Sequence, residues 1–255
     1  MTPHLTSRKI GDVDIFEIHG IYSSPWVRKI ERDINEFREA HPCRGTVFNL
    51  REMVKVDDPG VQSLLSLARN HKKSGFWGHN LSAYFIAEHM NPQEPIPIFE
   101  DGEEVVRFFA KEFADQTTAP AIERRQFPRL QTALPVAIEA SNFGQFFNFE
   151  AVITNLSEGG LFAYFMDSAT EGLAHRILDP FDLKMMRLNL SMGKGKKLAV
   201  QGKLLRSGDD FSKEPGMAVE FYDLSLLNRQ EIQRYLDGER SRVSNKGEER
   251  GEDNV

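Results

Sequence analysis

Residues 151–165 read Ala151-Val-Ile-Thr-Asn155-Leu-Ser157-Glu-Gly159-Gly160-Leu-Phe-Ala-Tyr-Phe165. An apolar, β-branched run (AVIT) passes through a polar turn into a second apolar and aromatic run (LFAYF), the pattern of two antiparallel strands joined as a hairpin. Asn, Ser and Gly in the turn supply side-chain hydrogen bonds and allow close backbone approach. Similar runs flank this pair: LPVAIEA (134–140), FNFEAVIT (147–154), LKMMRLNLS (183–191), KLAVQGKLLRS (197–207) and GMAVEFYDL (216–224). Gly, Asn and Ser turns separate them, and no helical pattern intervenes until LLNRQEIQRYLDG (226–238). Short strands in regular succession predict a small antiparallel β-barrel with one closing amphipathic helix. The residues after it, 238–255, are charged and poor in apolar side chains, and are expected to form a disordered tail.

Upstream of the hairpin, Arg124-Arg125-Gln-Phe-Pro-Arg129 gathers three guanidinium groups in one turn or extended segment. Arginine forks suit phosphates and the Hoogsteen edge of guanine, because both offer paired acceptors in one plane. With the polar turn, they point to a compact, anionic, guanine-bearing ligand. The two elements together resemble the PilZ family, which binds cyclic di-GMP through Arg-x-x-x-Arg followed, one hairpin later, by Asp/Asn-x-Ser-x-x-Gly. Arg125 and Arg129 fill the first element; Asn155, Ser157 and Gly160 fill the second. The resemblance implies that Arg125 and Arg129 take phosphate oxygens and guanine edges. It implies that Asn155 and Ser157 bond a second guanine, and that Gly159 and Gly160 let the backbone close on the ligand. In the family a basic residue just before Arg-x-x-x-Arg accompanies binding of the ligand as a stacked pair. Arg124 holds that place, so two nucleotides per domain are implied, beside the plainer reading of Arg124 as a solvated or Glu-paired side chain.

The first hundred or so residues carry a different rhythm. DVDIFEI (12–18) alternates as a strand, and PWVRKIERDINEFREA (25–40) sets Val27, Ile30, Ile34 and Phe37 on one helical face. TVFNL (46–50) reads as a buried strand, and Pro59-Gly60 opens a second helix with Val61, Leu64, Leu65 and Ala68 on one face, closing near Gly75. LSAYFIA (81–87) reads as another strand, IPIF (96–99) as a short one, and GEEVVRFFAKEF (102–113) as a terminal amphipathic helix. Alternation of this kind predicts a sheet with helices packed on it. Asn49-Leu50-Arg51 and Val56-Asp57-Asp58-Pro59-Gly60, followed by VQSLLSLARNHKKSG, are similar to the STAS family of anti-sigma-factor antagonists and transporter domains, over roughly residues 8–114.

Signalling members of that family carry a phosphorylatable serine in this turn, where Asp58 and Pro59 stand here. Serine phosphorylation at that place is therefore excluded. Two readings of Asp58 stand side by side: an N-cap with Pro59 at the first helical position, or a permanent mimic of the phosphorylated state. On either reading the domain is expected to be a constitutive docking surface for a protein partner rather than a phospho-switch, with Asp57 and Asp58 as its candidate docking residues. ADQTTAPAI (114–122) reads as a linker, giving a STAS-like α/β domain over 8–114, a linker over 115–124, a PilZ-like barrel over 125–237 and the tail.

With 255 residues, two modest domains are expected. The net charge of −6 offers no global field for DNA or an anionic membrane, so nucleotide recognition has to be local. No signal-like or membrane-spanning apolar run is present, and one cysteine, Cys43, forms no internal disulfide. A cytoplasmic location is expected. The seven histidines lack metal-ligand spacing, and no general acid–base pair or nucleophile elbow can be named. No cofactor, metal, DNA contact, membrane insertion or enzymatic activity is therefore expected, while an exposed α/β sheet edge is a route to homodimers. The functional expectation is a cyclic di-GMP receptor whose ligand re-orients the STAS-like docking domain. Its alternative is a partner-binding regulator of the anti-sigma-antagonist type carrying a non-binding PilZ-like adaptor.

Overall fold

The computed structural model describes residues 2–71, 73–114, 129–142, 145–167, 185–193, 195–207 and 216–248. They fall into two compact units.

The first unit is built on a sheet in which β1 (His4–Ile10) pairs antiparallel with β2 (Val13–Tyr22). β2 is followed by α1 (Ser24–Ala40) and then by β3 (Gly45–Asn49), which lies parallel to it. β2 outruns β3, and β4 (Met53–Val56) pairs with its last residues, Gly20 to Tyr22. After α2 (Asp58–Arg69) come β5 (Ser74–Trp77), α3 (Leu81–Glu88), β6 (Ile98–Phe99), α4 (Gly102–Phe108) and α5 (Ala110–Ala114). The strand order is β1-β2-β3-β5-β6. Phe16, Ile18, Phe48 and Phe76 from the sheet meet Ile30, Ile34, Leu64 and Ala68 from the helices in one buried cluster. Parallel strands covered by helices bury their side chains on both faces, which is why β3 is buried at all five positions.

The expected α/β sheet with packed helices is present, with corrections in detail. LSAYFIA is a helix, α3, and not a strand. Asn80 caps it by accepting from the Ala83 N–H at 3.0 Å, and its amide donates to the carbonyls of Leu50 and Met53. The buried residues Ala83 and Ile86 are three apart, the period of a helix, while Leu81 and Tyr84 are exposed. The fourth sheet position is filled by β5, which pairs with β3. The second helix ends at Arg69 rather than near Gly75, and GEEVVRFFAKEF breaks at Phe109 into two helices. β1 starts at His4, ahead of the expected boundary at residue 8.

The second unit is a closed antiparallel barrel of β7 (Leu130–Asn142), β8 (Gln145–Ser157), β9 (Gly160–Phe165), β10 (Met186–Ser191), β11 (Lys197–Ser207) and β12 (Met217–Tyr222). Around the wall the order is β10-β11-β12-β9-β8-β7, and β7 pairs with β10 to close it. Inward residues such as Ile138, Ile153, Leu156, Leu188 and Val219 fill the interior. Helix α6 (Leu226–Glu248) adds Ile232 and Leu236 to that cluster. The Tyr235 hydroxyl lies 2.7 Å from Thr132 Oγ1. α6 continues through residues 238–248, where a disordered tail was expected. The expected linker, 115–124, lies outside the described residues.

Candidate functional site

The geometry of the polar turn follows from one irregularity in β8. Toward β9 the register steps from Ile153–Ala163 to Asn155–Phe162, and toward β7 from Ile153–Leu134 to Asn155–Gln131. Toward β9 Thr154 is an extra residue, which makes it a β-bulge, while toward β7 two residues, Thr132 and Ala133, stand against it. Strict alternation from the inward Ile153 would turn Asn155 and Ser157 into the barrel and Leu156 out. With the bulge, Leu156 joins the interior cluster while Asn155 and Ser157 share the outer face with Gln131 and Phe162.

Ser157 pairs with Gly160 across a tight turn through Glu158 and Gly159, and its hydroxyl donates to the Gly160 carbonyl at 3.1 Å. That bond spends the Ser157 proton and leaves the oxygen lone pairs to accept. Gly160 is required by its neighbour strand: a Cβ there would stand 2.3 Å from the Val219 carbonyl oxygen and 3.2 Å from Glu220 Cα. The Phe221 N–H donates to the Gly159 carbonyl at 2.9 Å and fastens the turn to β12. To the expected role of Gly159 and Gly160 in ligand approach is thus added, at Gly160, a packing role against β12.

Arg129 is exposed and stands immediately before β7, whose first residue, Leu130, pairs with Leu156 between Asn155 and Ser157. The fold therefore brings Arg129, Asn155, Ser157 and Gly160 to one end of the β7–β8–β9 wall. Arg124 and Arg125 lie outside the described residues. Sequence reading missed Gln131, Phe162 and Glu220, which share this outer face; only cross-strand register places them there.

Asp57 and Asp58 start α2 in the other unit. Asp57, not Asp58, is the N-cap. Its Oδ1 accepts from the Gly60 N–H at 2.9 Å, and its Oδ2 from the Ser24 N–H at 2.9 Å and the Ser24 hydroxyl at 3.2 Å. Burial pushes the Asp57 carboxyl up, but the Ser24 and Gly60 hydrogen bonds outweigh it and hold the group below the usual carboxylate range. Asp58 is the first helical residue, its side chain 76% exposed, with His89 Nε2 at 3.8 Å from Oδ1.

Elsewhere in this unit, Cys43 Sγ lies 3.4 Å from His71 Nε2 and beside Asp14, which is fully buried. Burial, with Asp14 alongside, pushes the Cys43 thiol up to about 11, so it stays protonated and poorly nucleophilic. Neither Asp14 oxygen has a conventional hydrogen-bond partner, the thiol being a weak donor. Among the described residues no helix is long and apolar enough to cross a membrane.

Residues 123–238 match the model of the PilZ domain family and form a PilZ domain. No curated protein matches the chain. Among solved structures, the chain is similar to the inhibitor of motility MotI/DgrA of Bacillus subtilis, with 18% identity and a TM-score of 0.34 over 48% of this chain and 54% of that one. It thus spans about half the length of that protein. It is also similar to the PilZ domain with c-di-GMP of YcgR from Escherichia coli, with 17% identity and a TM-score of 0.35 over 49% of this chain and 98% of that one. A third likeness is to an anti-sigma factor antagonist from Mycobacterium paratuberculosis, with 10% identity and a TM-score of 0.38 over 42% of this chain and 92% of that one.

Proposed function

We propose that the PilZ domain is a non-enzymatic receptor for cyclic di-GMP, bound on the outer face of β8 and β9. The observation that carries this reading is the bulge at Thr154, which turns Asn155 and Ser157 outward beside Arg129 in a stretch that matches the PilZ family. Asn155 offers an amide and Ser157 an accepting oxygen to a guanine edge. Arg125 and Arg129 supply forks for phosphate oxygens and the Hoogsteen edge, and Arg124 stacks on or pairs with a second nucleotide. Three arginines within six residues of sequence, the last of them, Arg129, at the end of this wall, would give an acidic protein a local anion site.

The arginines stand at the N-terminal edge of the PilZ match, next in sequence to the expected linker over 115–124. Ligand binding pins this segment to the barrel and re-aims the STAS-like domain, which docks a regulatory protein partner in the cytoplasm. The coupling cannot exceed the ligand's preference for one arrangement over the other. Isothermal titration with cyclic di-GMP tests the receptor reading. The unchanged protein is expected to bind with two nucleotides per chain, while Arg125→Ala and Asn155→Ala each lose tenfold or more. Absence of heat and of thermal stabilisation at high ligand would sink it. Small-angle scattering with and without saturating ligand tests the re-orientation separately, and superimposable profiles would remove that step alone.

A second reading makes the first unit the functional half, docking its partner whatever the barrel binds. It is favoured by a groove of about 490 Å³ lined by Val54, Leu81 and Tyr84, exposed at 67%, 85% and 61%. The two readings part on whether Arg125→Ala alters partner capture.

A further inference from the structure

The row of outward residues that includes Ser157 does not stop at Gly160. Gly160 pairs with Glu220 on β12, and Glu220 pairs with Lys203 on β11, so Ser157, Gly160, Glu220 and Lys203 are consecutive neighbours across four strands. Strands are spaced ~4.8 Å apart, which puts the Ser157 and Glu220 backbones about 10 Å from each other. β12 alternates strictly: Met217, Val219 and Phe221 are buried in the barrel, and Glu220 is exposed on the outside. Gly160 has no side chain to stand between them, and the Glu220 Cα lies 3.2 Å from where a Gly160 Cβ would be. The Glu220 carboxylate has no hydrogen bond or ion pair with a described residue.

A guanine base has two chemically opposite edges. Its Hoogsteen edge carries the acceptors N7 and O6, which an arginine fork satisfies. Its Watson–Crick edge carries the donors N1–H and N2–H, which need two acceptors side by side. The Asn155 amide offers one acceptor, and the Ser157 oxygen one more on the same short strand end. A carboxylate presents both acceptors in one plane and is the matching fork. We infer that Glu220 reads the Watson–Crick edge of a guanine seated over Gly160, and so sets the preference for guanine over adenine. This rests on the cyclic di-GMP reading of the same site. Adenine places an acceptor, N1, where guanine has a donor, so the same carboxylate repels it.

The test is titration of the full chain with cyclic di-GMP and cyclic di-AMP, comparing the unchanged protein with Glu220→Gln and Glu158→Gln. Glu158, in the adjacent turn, is the nearest rival acidic side chain in the sequence. Glutamine keeps the size but replaces one acceptor with a donor. The expected result for Glu220→Gln is a loss of roughly tenfold or more toward cyclic di-GMP with no loss toward cyclic di-AMP, so that discrimination collapses. Glu158→Gln is expected to leave both unchanged. An unaltered Glu220→Gln, an equal loss toward both dinucleotides, or a collapse produced by Glu158→Gln instead would each overturn the inference while the receptor reading stands. No binding of cyclic di-GMP by the unchanged protein would overturn both.

Discussion

The barrel and the α/β unit each carry a short polar motif at the start of a turn, and the two spend their side chains differently. At Asn155 and Ser157 a bulge turns the polar groups out of the barrel, and Ser157 keeps its lone pairs after giving its proton to Gly160. At Asp57 both carboxylate oxygens are taken up by Ser24 and Gly60, tying the first turns of α1 and α2 together. Only Asp58 next to it remains outward. One motif turns polar groups to the outside of the barrel, Ser157 there being nearly buried; the other spends its carboxylate within the fold and leaves only its neighbour exposed.

The sharpest way to break this contrast is at Gly160. Gly160→Ala places a methyl 2.3 Å from the Val219 carbonyl, and since backbone must yield, the barrel is expected to lose about 1–3 kcal/mol. Chemical denaturation followed by Trp-independent far-UV signal measures this, with cyclic di-GMP affinity falling in parallel. Gly159→Ala should cost much less if β12 contact is the cause. Next in size, Asp57→Ala removes the cap of α2 and is expected to cost about 1–2 kcal/mol of the α/β unit, leaving cyclic di-GMP affinity unchanged. An affinity change would break the division between the two motifs. Asp58→Ala should shift stability by less than about 0.5 kcal/mol; loss of partner capture without loss of stability would make it the docking residue.

The smallest effect is a pH dependence at Asp14. Burial is the main cause of its raised pKa, opposed by the Cys43 thiol and by the positive charges of Lys9, Arg38 and His41. The folded state therefore holds this proton more tightly than the unfolded chain. Stability from Asp14 is present below the ordinary carboxylate pKa and is lost as pH rises through the raised folded value. Asp14→Asn should flatten the decline in melting temperature over that window, and an unchanged slope would remove Asp14 as its source.

How much of this was legible in the sequence follows from period and length. The barrel strands could be read because each is an apolar or alternating run of six residues or more and several are bounded by Gly, Asn or Ser turns. α3 was misread because LSAYFIA is short and nearly all apolar, so its helical period shows only in which residues are buried. β4 and β5, four residues each, are too short to carry a period. The cap of α2 was placed one residue late because two adjacent aspartates look alike until the backbone shows which one precedes the helix. The outward row through Glu220 could not be read at all. Its members come from β8, β9, β12 and β11, and only the pairing of those strands makes them neighbours.

β7 is both the strand that follows the arginine segment and the strand that closes the wall, Ile138 pairing with Leu188 on β10. During synthesis β7 leaves the ribosome first among the barrel strands and can at once form only its hairpin with β8. Its other edge, with Val136 and Ile138 turned inward, waits for β10 to emerge. Until then the nascent chain presents an open sheet edge with an uncovered apolar face, the condition under which chains add to one another. Pairings this distant in sequence are also slow to form. The wall that carries Arg129 and Asn155 is thus held by a closure that comes late, and a translation pause between β8 and β10 would lengthen the interval in which that edge stays open.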